Sequence, residues 1–442
     1  MERVTAATAD GWQRRAAGAL AAAGARVGDR VVLSAPSSVA LLCGALGALR
    51  TGVVPVLLDP ALTPAEREPL VEDAEPALVL DAAGVAALAD GPPADLAEVP
   101  LARPMHYTSG TTGRPCGVWT GVLDEGPARR LADEETDLWG FAPDDTHLVC
   151  SPLHHSAPLR FAAGTLRARG NVVVLGKFDV DRFHDAVRSA DGAPLTAFAV
   201  PAHLQRLLGP GAPGPPDLTG FRLLAHAGAP CPEPLKRAAL ATFPRGCVWE
   251  FYGSTEGQFT ACSTDEWLDR PGTVGRARPG RRLSTEADGT VRCGVPAHAR
   301  FAYWRDPAKT AAEWRGDALT VGDIGRLDED GFLFLDGRRD DLIISGGVNV
   351  YPLEVEGVLA DFPGVEDVAV FGVPDERWGA RVCAAVVGQL EPDGLLAHAR
   401  TRLAPAKRPK SVVVVASLPR SERGKVRRST LAHDLGLADR VG

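Results

Sequence analysis

The sequence predicts an α/β fold: a large N-terminal domain of layered α/β sheets with a β-rich subdomain, followed by a small α+β C-terminal domain. Three observations lead there. At 442 residues the chain exceeds one ordinary domain, and a 45% apolar content is enough for a large buried core. From Val31 to about Tyr252, short β-rich runs alternate with Ala/Leu-rich amphipathic stretches, the rhythm of strands joined by crossover helices. Past Gly272 the character changes to short strands joined by Asp-Gly turns, which read as hairpins.

In order, VVLSAP, VALLCGALGALR and VVPVLL read as strand, helix and strand, as do NVVVLG, DRFHDAVRSA and TAFAVP further on. Continuous apolar strands of this kind belong to a sheet covered on both faces. The Pro/Gly-rich stretch 209–216 (GPGAPGPP) lies between periodic segments and reads as a surface loop inside one domain, a domain linker being the alternative. ADGTVRC and LTVGDIGRLDEDGFLFLDGR predict an antiparallel subdomain. After Arg338 come a strand (DLIIS), a helix from Pro352 to about Leu359, two strands (VEDVAVFGV and RVCAAVVG), a helix, the strand SVVVVA and a terminal helix. About 100 residues suffice for an independent domain, and the expected division is 1–339 and 340–442.

A net charge of −8 argues against a nucleic-acid surface, which needs clustered excess Lys and Arg. The eight cysteines form no C-x-x-C pair and no zinc-ligand spacing, so they read as reduced thiols. The first thirty residues carry charges throughout, unlike a secretory signal, and the most apolar stretch, Val39 to Leu58, is broken by Arg50 and Gly52. A soluble cytoplasmic protein acting on a small molecule is expected.

The chemistry concentrates in a few loops. Tyr107 to Gly117, YTSGTTGRPCG, sets five hydroxyl residues and three glycines in eleven positions after a short strand. Such a loop offers N–H and O–H donors at close approach, as a polyphosphate requires, although composition alone also fits a plain connector. It is not a Walker loop, since no Gly-Lys-Ser/Thr follows. FYGSTEG (251–257) places Glu256 where a hard cation finds a carboxylate, but alone that residue reads as a solvated acid. Asp323 after Gly322 reads alone as a turn residue, and Lys425 as one of several basic residues at a helix start.

Taken in order, these segments resemble the acyl-adenylate-forming superfamily of acyl-CoA synthetases, peptide-synthetase adenylation domains and luciferases. The signature T-S-G-T-T-G-x-P is that family's phosphate loop, so the resemblance assigns Thr108, Ser109, Gly110, Thr111, Thr112 and Gly113 to ATP. The FYGSTEG element (Phe251, Tyr252, Gly253, Ser254) supplies an aromatic residue against adenine, Thr255 at the α-phosphate and Glu256 holding Mg²⁺, with Thr112 as a second metal neighbour. LAHAGAPCP resembles the strand and loop flanking adenine and the acyl pocket, giving Gly228, Ala229 and Pro230. Asp323 matches the aspartate that binds the ribose hydroxyls, and Arg338 the arginine at ribose and phosphate. Lys425 aligns with the lysine touching α-phosphate and carboxylate, a cation placed where charge develops. SPLHHSAPLRF puts His155 on the register of the family's gating or carboxylate-orienting histidine.

The resemblance implies two steps: acid and Mg·ATP give acyl-AMP and pyrophosphate, and a thiol then takes the acyl group. Relatives rotate a small, mobile C-terminal domain between the steps. Asp340 falls at the hinge position, Gly346 and Gly347 at a loop leaving room for a pantetheine arm, and Trp378, with Arg377 and Arg381, beside CoA. One departure stands out: most relatives carry Lys where this loop has Cys116, and Arg114 is the nearest substitute. The expected activity is therefore an AMP-forming acid–CoA ligase. The alternatives are an enzyme loading an acyl or aryl group onto a carrier protein's phosphopantetheine, or a non-catalytic member that binds nucleotide or acyl ligand only.

Overall fold

The computed structural model describes residues 1–108, 116–209, 211–345, 348–375, 378–420, 426 and 428–437, with the backbone alone at 108, 340, 349 and 429. The chain forms two compact units, Met1–Leu283 with Cys293–Leu319, and Ser284–Arg292 with Thr320–Gly442.

The first unit contains a six-stranded sheet in the order Glu2–Thr5, Asn171–Val174, Thr146–Val149, Leu195–Ala199, Phe221–His226, Val248–Glu250. Glu2–Thr5 is antiparallel to its neighbour and the other pairs are parallel. A second, all-parallel sheet runs Val54–Leu57, Arg30–Leu33, Leu78–Leu80. The apolar runs expected to be covered on both faces are covered: Val31, Val32, Leu33 and Val56 are buried. Between the sheets lies the Val39–Arg50 helix, whose start is fixed by Ser38, its Oγ accepting the Leu41 N–H at 3.1 Å. One cluster including Leu42, Leu46, Leu153 and Leu159 forms the main core. A smaller cluster is aromatic: Trp139, Phe141, Phe161, Phe198 and Phe251.

A third sheet pairs His106–Thr108 with Cys116–Trp119 as an antiparallel hairpin, and Ala302–Tyr303 joins its other edge. The 209–216 stretch lies within the first unit, so it is a loop and not a domain linker.

In the second unit, Asp323–Leu327 and Leu333–Arg338 form the expected hairpin. Its turn is set by Asp328, whose Oδ1 accepts the Phe332 N–H at 2.8 Å. A five-stranded sheet in the order Val348–Val350, Ile343–Ser345, Gly379–Gly388, Val365–Asp375 follows, with Ser411–Val414 parallel to Gly379–Gly388. The helices Pro352–Ala360 and Pro392–Arg402 bury Val355, Leu359, Leu395 and Ala399 against it. Buried Glu356 accepts both Nη2 contacts of Arg428 (2.8 and 2.7 Å) and the Val370 N–H at 2.7 Å, anchoring the Arg428–Asp434 helix. Packing groups the 323–338 hairpin with the C-terminal residues, because the Pro352–Ala360 helix packs on Leu333–Arg338, and draws in 284–292, because Thr290 bridges Ile324 and Arg339 lies 3.5 Å from Asp288. Compactness thus divides the chain upstream of the 339/340 boundary expected from the change of sequence pattern.

Candidate active site

In an open parallel sheet, ligands bind beyond the carboxyl ends of the strands. Three segments leave this sheet at that edge. Thr146–Val149 runs on to His155, Phe221–His226 to Gly228–Pro230, and Val248–Glu250 to Phe251–Glu256; the last two strands are direct neighbours, with His226 opposite Glu250. Topology therefore brings together residues that the sequence separates by about 100 positions.

Each loop is held by local chemistry. Gly228 has φ +94°, a left-handed conformation that a side chain would strain. Gly253 lies opposite Gln258 in an isolated bridge, and a Cβ there would sit 2.5 Å from the Gly257 carbonyl oxygen. The Ser254 N–H completes this tight return with a 2.8 Å bond to the same oxygen. Phe251 is buried, 5.6 Å from Trp139 and 5.8 Å from Phe198 by ring centroids, so it packs the core. Tyr252 is partly exposed and edge-on to Phe259, so unlike Phe251 its ring is not enclosed in the core.

Glu256 is 7% exposed, and its Oε1 accepts the Tyr303 hydroxyl at 3.0 Å. Burial, then the Glu256 charge, push the Tyr303 phenol well above its ordinary range, so it stays a donor. Arg103 donates from Nη2 to the Thr255 carbonyl (3.1 Å) and from Nη1 to the Glu256 carbonyl (3.2 Å), pinning the backbone of both residues. Around this loop lies a charged cluster. Arg160 contacts Gln258 (3.0 Å) and Glu135 (3.1 Å), Arg278 bonds Glu135 at 2.6 Å, and Arg281 bonds Glu134 at 2.9 Å. Burial favours protonating Glu135, but Arg160 and Arg278 outweigh it and hold the carboxyl below its usual range.

Under the two neighbouring loops sits a buried triad. Lys236 Nζ lies 2.5 Å from His226 Nε2 and 3.3 Å from Glu250 Oε2, tying together the strand ends that lead into Gly228 and Phe251. His155 sits at the N-terminus of the Ser156–Arg167 helix, its ring edge-on to His154 at 4.3 Å; His154 lies 3.7 Å from Asp59.

Other expected residues fall as follows. Thr108 ends the strand that enters the hydroxyl-rich loop, while Ser109, Gly110, Thr111, Thr112, Gly113 and Arg114 lie outside the described residues, as do Gly346, Gly347, Arg377 and Lys425. Asp323 and Arg338 are brought together, Arg338 Nε donating to Asp323 Oδ1 at 2.9 Å. Asp340 lies in the turn Arg339–Asp341. Trp378 donates its backbone N–H to Asp375 at 3.0 Å, and Lys410 Nζ rests 4.9 Å from its ring centre. Among the described residues no three His, Cys, Asp or Glu side chains cluster as metal ligands. A Mg²⁺ site needs no such cage, since the ion usually keeps waters and substrate phosphates beside one or two carboxylates, a part that the oriented Glu256 fits.

The pattern described as AMP-binding enzyme matches residues 2–104 and 103–295, and that described as AMP-binding enzyme C-terminal domain matches 354–425. The chain belongs to the AMP-binding enzyme family. A feruloyl-CoA synthase from Amycolatopsis sp is 34% identical over 96% of this chain and 92% of its own length. A fatty acid–[acyl-carrier-protein] ligase, ScoC, of Streptomyces coeruleorubidus is 34% identical over 74% of this chain and 66% of its own. Among solved structures, ATP-bound MatB from Rhodopseudomonas palustris superposes with a TM-score of 0.84 at 31% identity, covering 98% of this chain and 93% of that one. An acyl-CoA synthetase-like ligase is therefore the class of enzyme to which this chain belongs, and no described helix is long and apolar enough to cross a membrane.

Within this AMP-binding enzyme, sequence reading missed Arg103 and Tyr303. Arg103, between Ala102 and Pro104, carries no motif. Tyr303 sits in FAYWRDP, where an aromatic cluster reads as packing.

Proposed function

We propose that this protein adenylates a carboxylic acid with Mg·ATP and transfers the acyl group to CoA. The observation that carries the reading is Glu256: a carboxylate held by Tyr303, on a backbone pinned by Arg103, at the sheet edge where the Gly228 loop and His155 also emerge. That is what a fixed metal ligand beside a nucleotide requires, because a ligand already in place costs no reorganisation when ATP arrives. Thr108 to Gly113 in this reading wrap the phosphates, Thr112 and Glu256 face the metal, Tyr252 meets adenine, and Asp323 with Arg338 takes the ribose. Thr255 meets the α-phosphate and His155 orients the acid. Lys425 neutralises the charge that builds as the carboxylate attacks phosphorus. Asp340 serves as the hinge, and Gly346, Gly347 and Trp378 serve the thiol.

A second acceptor, the phosphopantetheine of an acyl carrier protein, is favoured by the likeness to ScoC. Both acceptors share the adenylation step, so two measurements separate the readings. Acid-dependent exchange of pyrophosphate into ATP tests adenylation, and absence of exchange with every acid overturns it in favour of a non-catalytic member. Thioester formation with free CoA against a holo carrier protein then identifies the acceptor; turnover with the carrier protein alone overturns CoA.

A further inference from the structure

Beneath the Glu256 loop lies a cavity of about 150 Å³ whose lining includes Glu256, Gly257 and Gln258 from the loop and Leu46, Leu49 and Leu159 from the main core. Its polar wall is unusual in charge. Arg103, Arg160, Arg167, Arg278 and Arg281 line it, against the carboxylates Glu135 and Glu256. Glu134 is already shared between Arg281 and His298, and Glu135 between Arg278 and Arg160. Among the described residues, Arg103 donates to carbonyl oxygens of the loop. The lining as a whole holds more guanidinium than carboxylate charge, and Arg103 meets carbonyl oxygens where its neighbours meet carboxylates.

A purely structural ion network would close on itself, because an uncompensated charge held away from water is costly. The planar guanidinium is the side chain suited to gripping a carboxylate through paired N–H bonds. Apolar walls with a cationic end fit a short carbon chain terminated by an anion.

We propose that this cavity is the subsite for a second carboxylate on the acid substrate, so that the enzyme activates short dicarboxylic acids. The inference rests on the adenylation reading and narrows its substrate class. The chain would enter past Glu256 and Gln258, leaving its reacting carboxylate at the nucleotide and its far carboxylate against Arg160 and Arg103.

Two measurements on the full chain test it, using succinate and glutarate against butanoate and pentanoate. Without ATP, the dicarboxylates should raise the thermal midpoint and the monocarboxylates should not. With Mg·ATP, kcat/KM for pyrophosphate release should favour each dicarboxylate over its partner by about ten- to a hundred-fold, the range for one charged hydrogen bond. Arg160→Met should reduce that ratio about tenfold. A ratio near or below one, or no midpoint shift with dicarboxylates, overturns the subsite even where monocarboxylates are adenylated. A midpoint shift specific to dicarboxylates with no pyrophosphate release from any acid leaves the subsite standing and removes the adenylation reading. The wild-type measurements decide the matter if Arg160→Met does not fold.

Discussion

At the scale of single residues, the site depends on a carboxylate that is placed by groups far from it in sequence. Glu256 and Tyr303 are 47 positions apart, yet the hydroxyl reaches Oε1 at 3.0 Å because Tyr303 stands on a strand paired with Cys116–Trp119, opposite Val118. If Glu256 is the metal ligand proposed, losing that bond leaves the carboxylate rotamer freedom that the metal must order on binding. Tyr303→Phe should therefore lower kcat/KM for Mg·ATP by about tenfold, as expected for a hydrogen bond to a charged group, and raising free Mg²⁺ should restore part of the loss. Steady-state pyrophosphate release against Mg²⁺ concentration reads this; a loss indifferent to Mg²⁺ would show that Tyr303 acts by packing alone. The contrast between the partners explains what was legible. Glu256 lies in a loop whose residue order is distinctive, whereas Tyr303 and Arg103 act through long-range contacts for which a single sequence carries no sign.

At the scale of elements, the strands were readable because an apolar run covered on both faces needs few other signals. VVPVLL and NVVVLG form strands inside the limits the pattern set, TAFAVP forms one that starts a residue earlier at Leu195, and VALLCGALGALR forms the helix. Polar residues inside these strands are where pattern says least. His147 is fully buried in the central Thr146–Val149 strand, its Nδ1 2.9 Å from Thr196 Oγ1 on the adjacent strand. Burial, reinforced by the Arg222 charge, depresses its pKa from 6.5 to about 3. The folded protein thus holds this histidine neutral, while the unfolded chain takes up a proton below about pH 6.5. Stability linked to His147 is complete above that value and is lost as pH falls toward about 3, at roughly 1 kcal/mol per pH unit. His147→Asn should flatten the acid limb by about that slope while keeping a polar partner for Thr196. Denaturant unfolding of the first transition at pH 7.5, 6.5, 5.5 and 4.5 measures it, and parallel pH profiles for the two proteins would contradict the assignment.

At the scale of the whole molecule, order and composition showed that a distinct α+β region closes the chain, but not how the preceding hairpin packs. Residues 323–338 look in sequence like a continuation of the β-rich segment before them; they join the second unit through contacts such as those of the Pro352–Ala360 helix with Leu333–Arg338, which hydrophobic periodicity does not encode. The proposed two-step reaction would give this division a functional meaning. Adenylation needs a cation where the carboxylate meets phosphorus, and thiolysis needs that space for a thiol, so a residue serving the first step need not serve the second. If Lys425 is that cation, Lys425→Ala should reduce acid-dependent pyrophosphate release by about a hundredfold or more, the scale of losing one preorganised electrostatic partner. Supplied with preformed acyl-AMP and CoA, the same variant should form thioester at close to the unaltered rate. Asp340→Pro, which fixes the backbone at the hinge position, should give the reverse: pyrophosphate release retained and thioester formation slowed. Single-turnover assays of the two half-reactions on both variants distinguish the roles. Equal loss of both steps in Lys425→Ala would mean that this lysine supports the structure and not the attack on phosphorus, and equal retention in Asp340→Pro would remove the hinge.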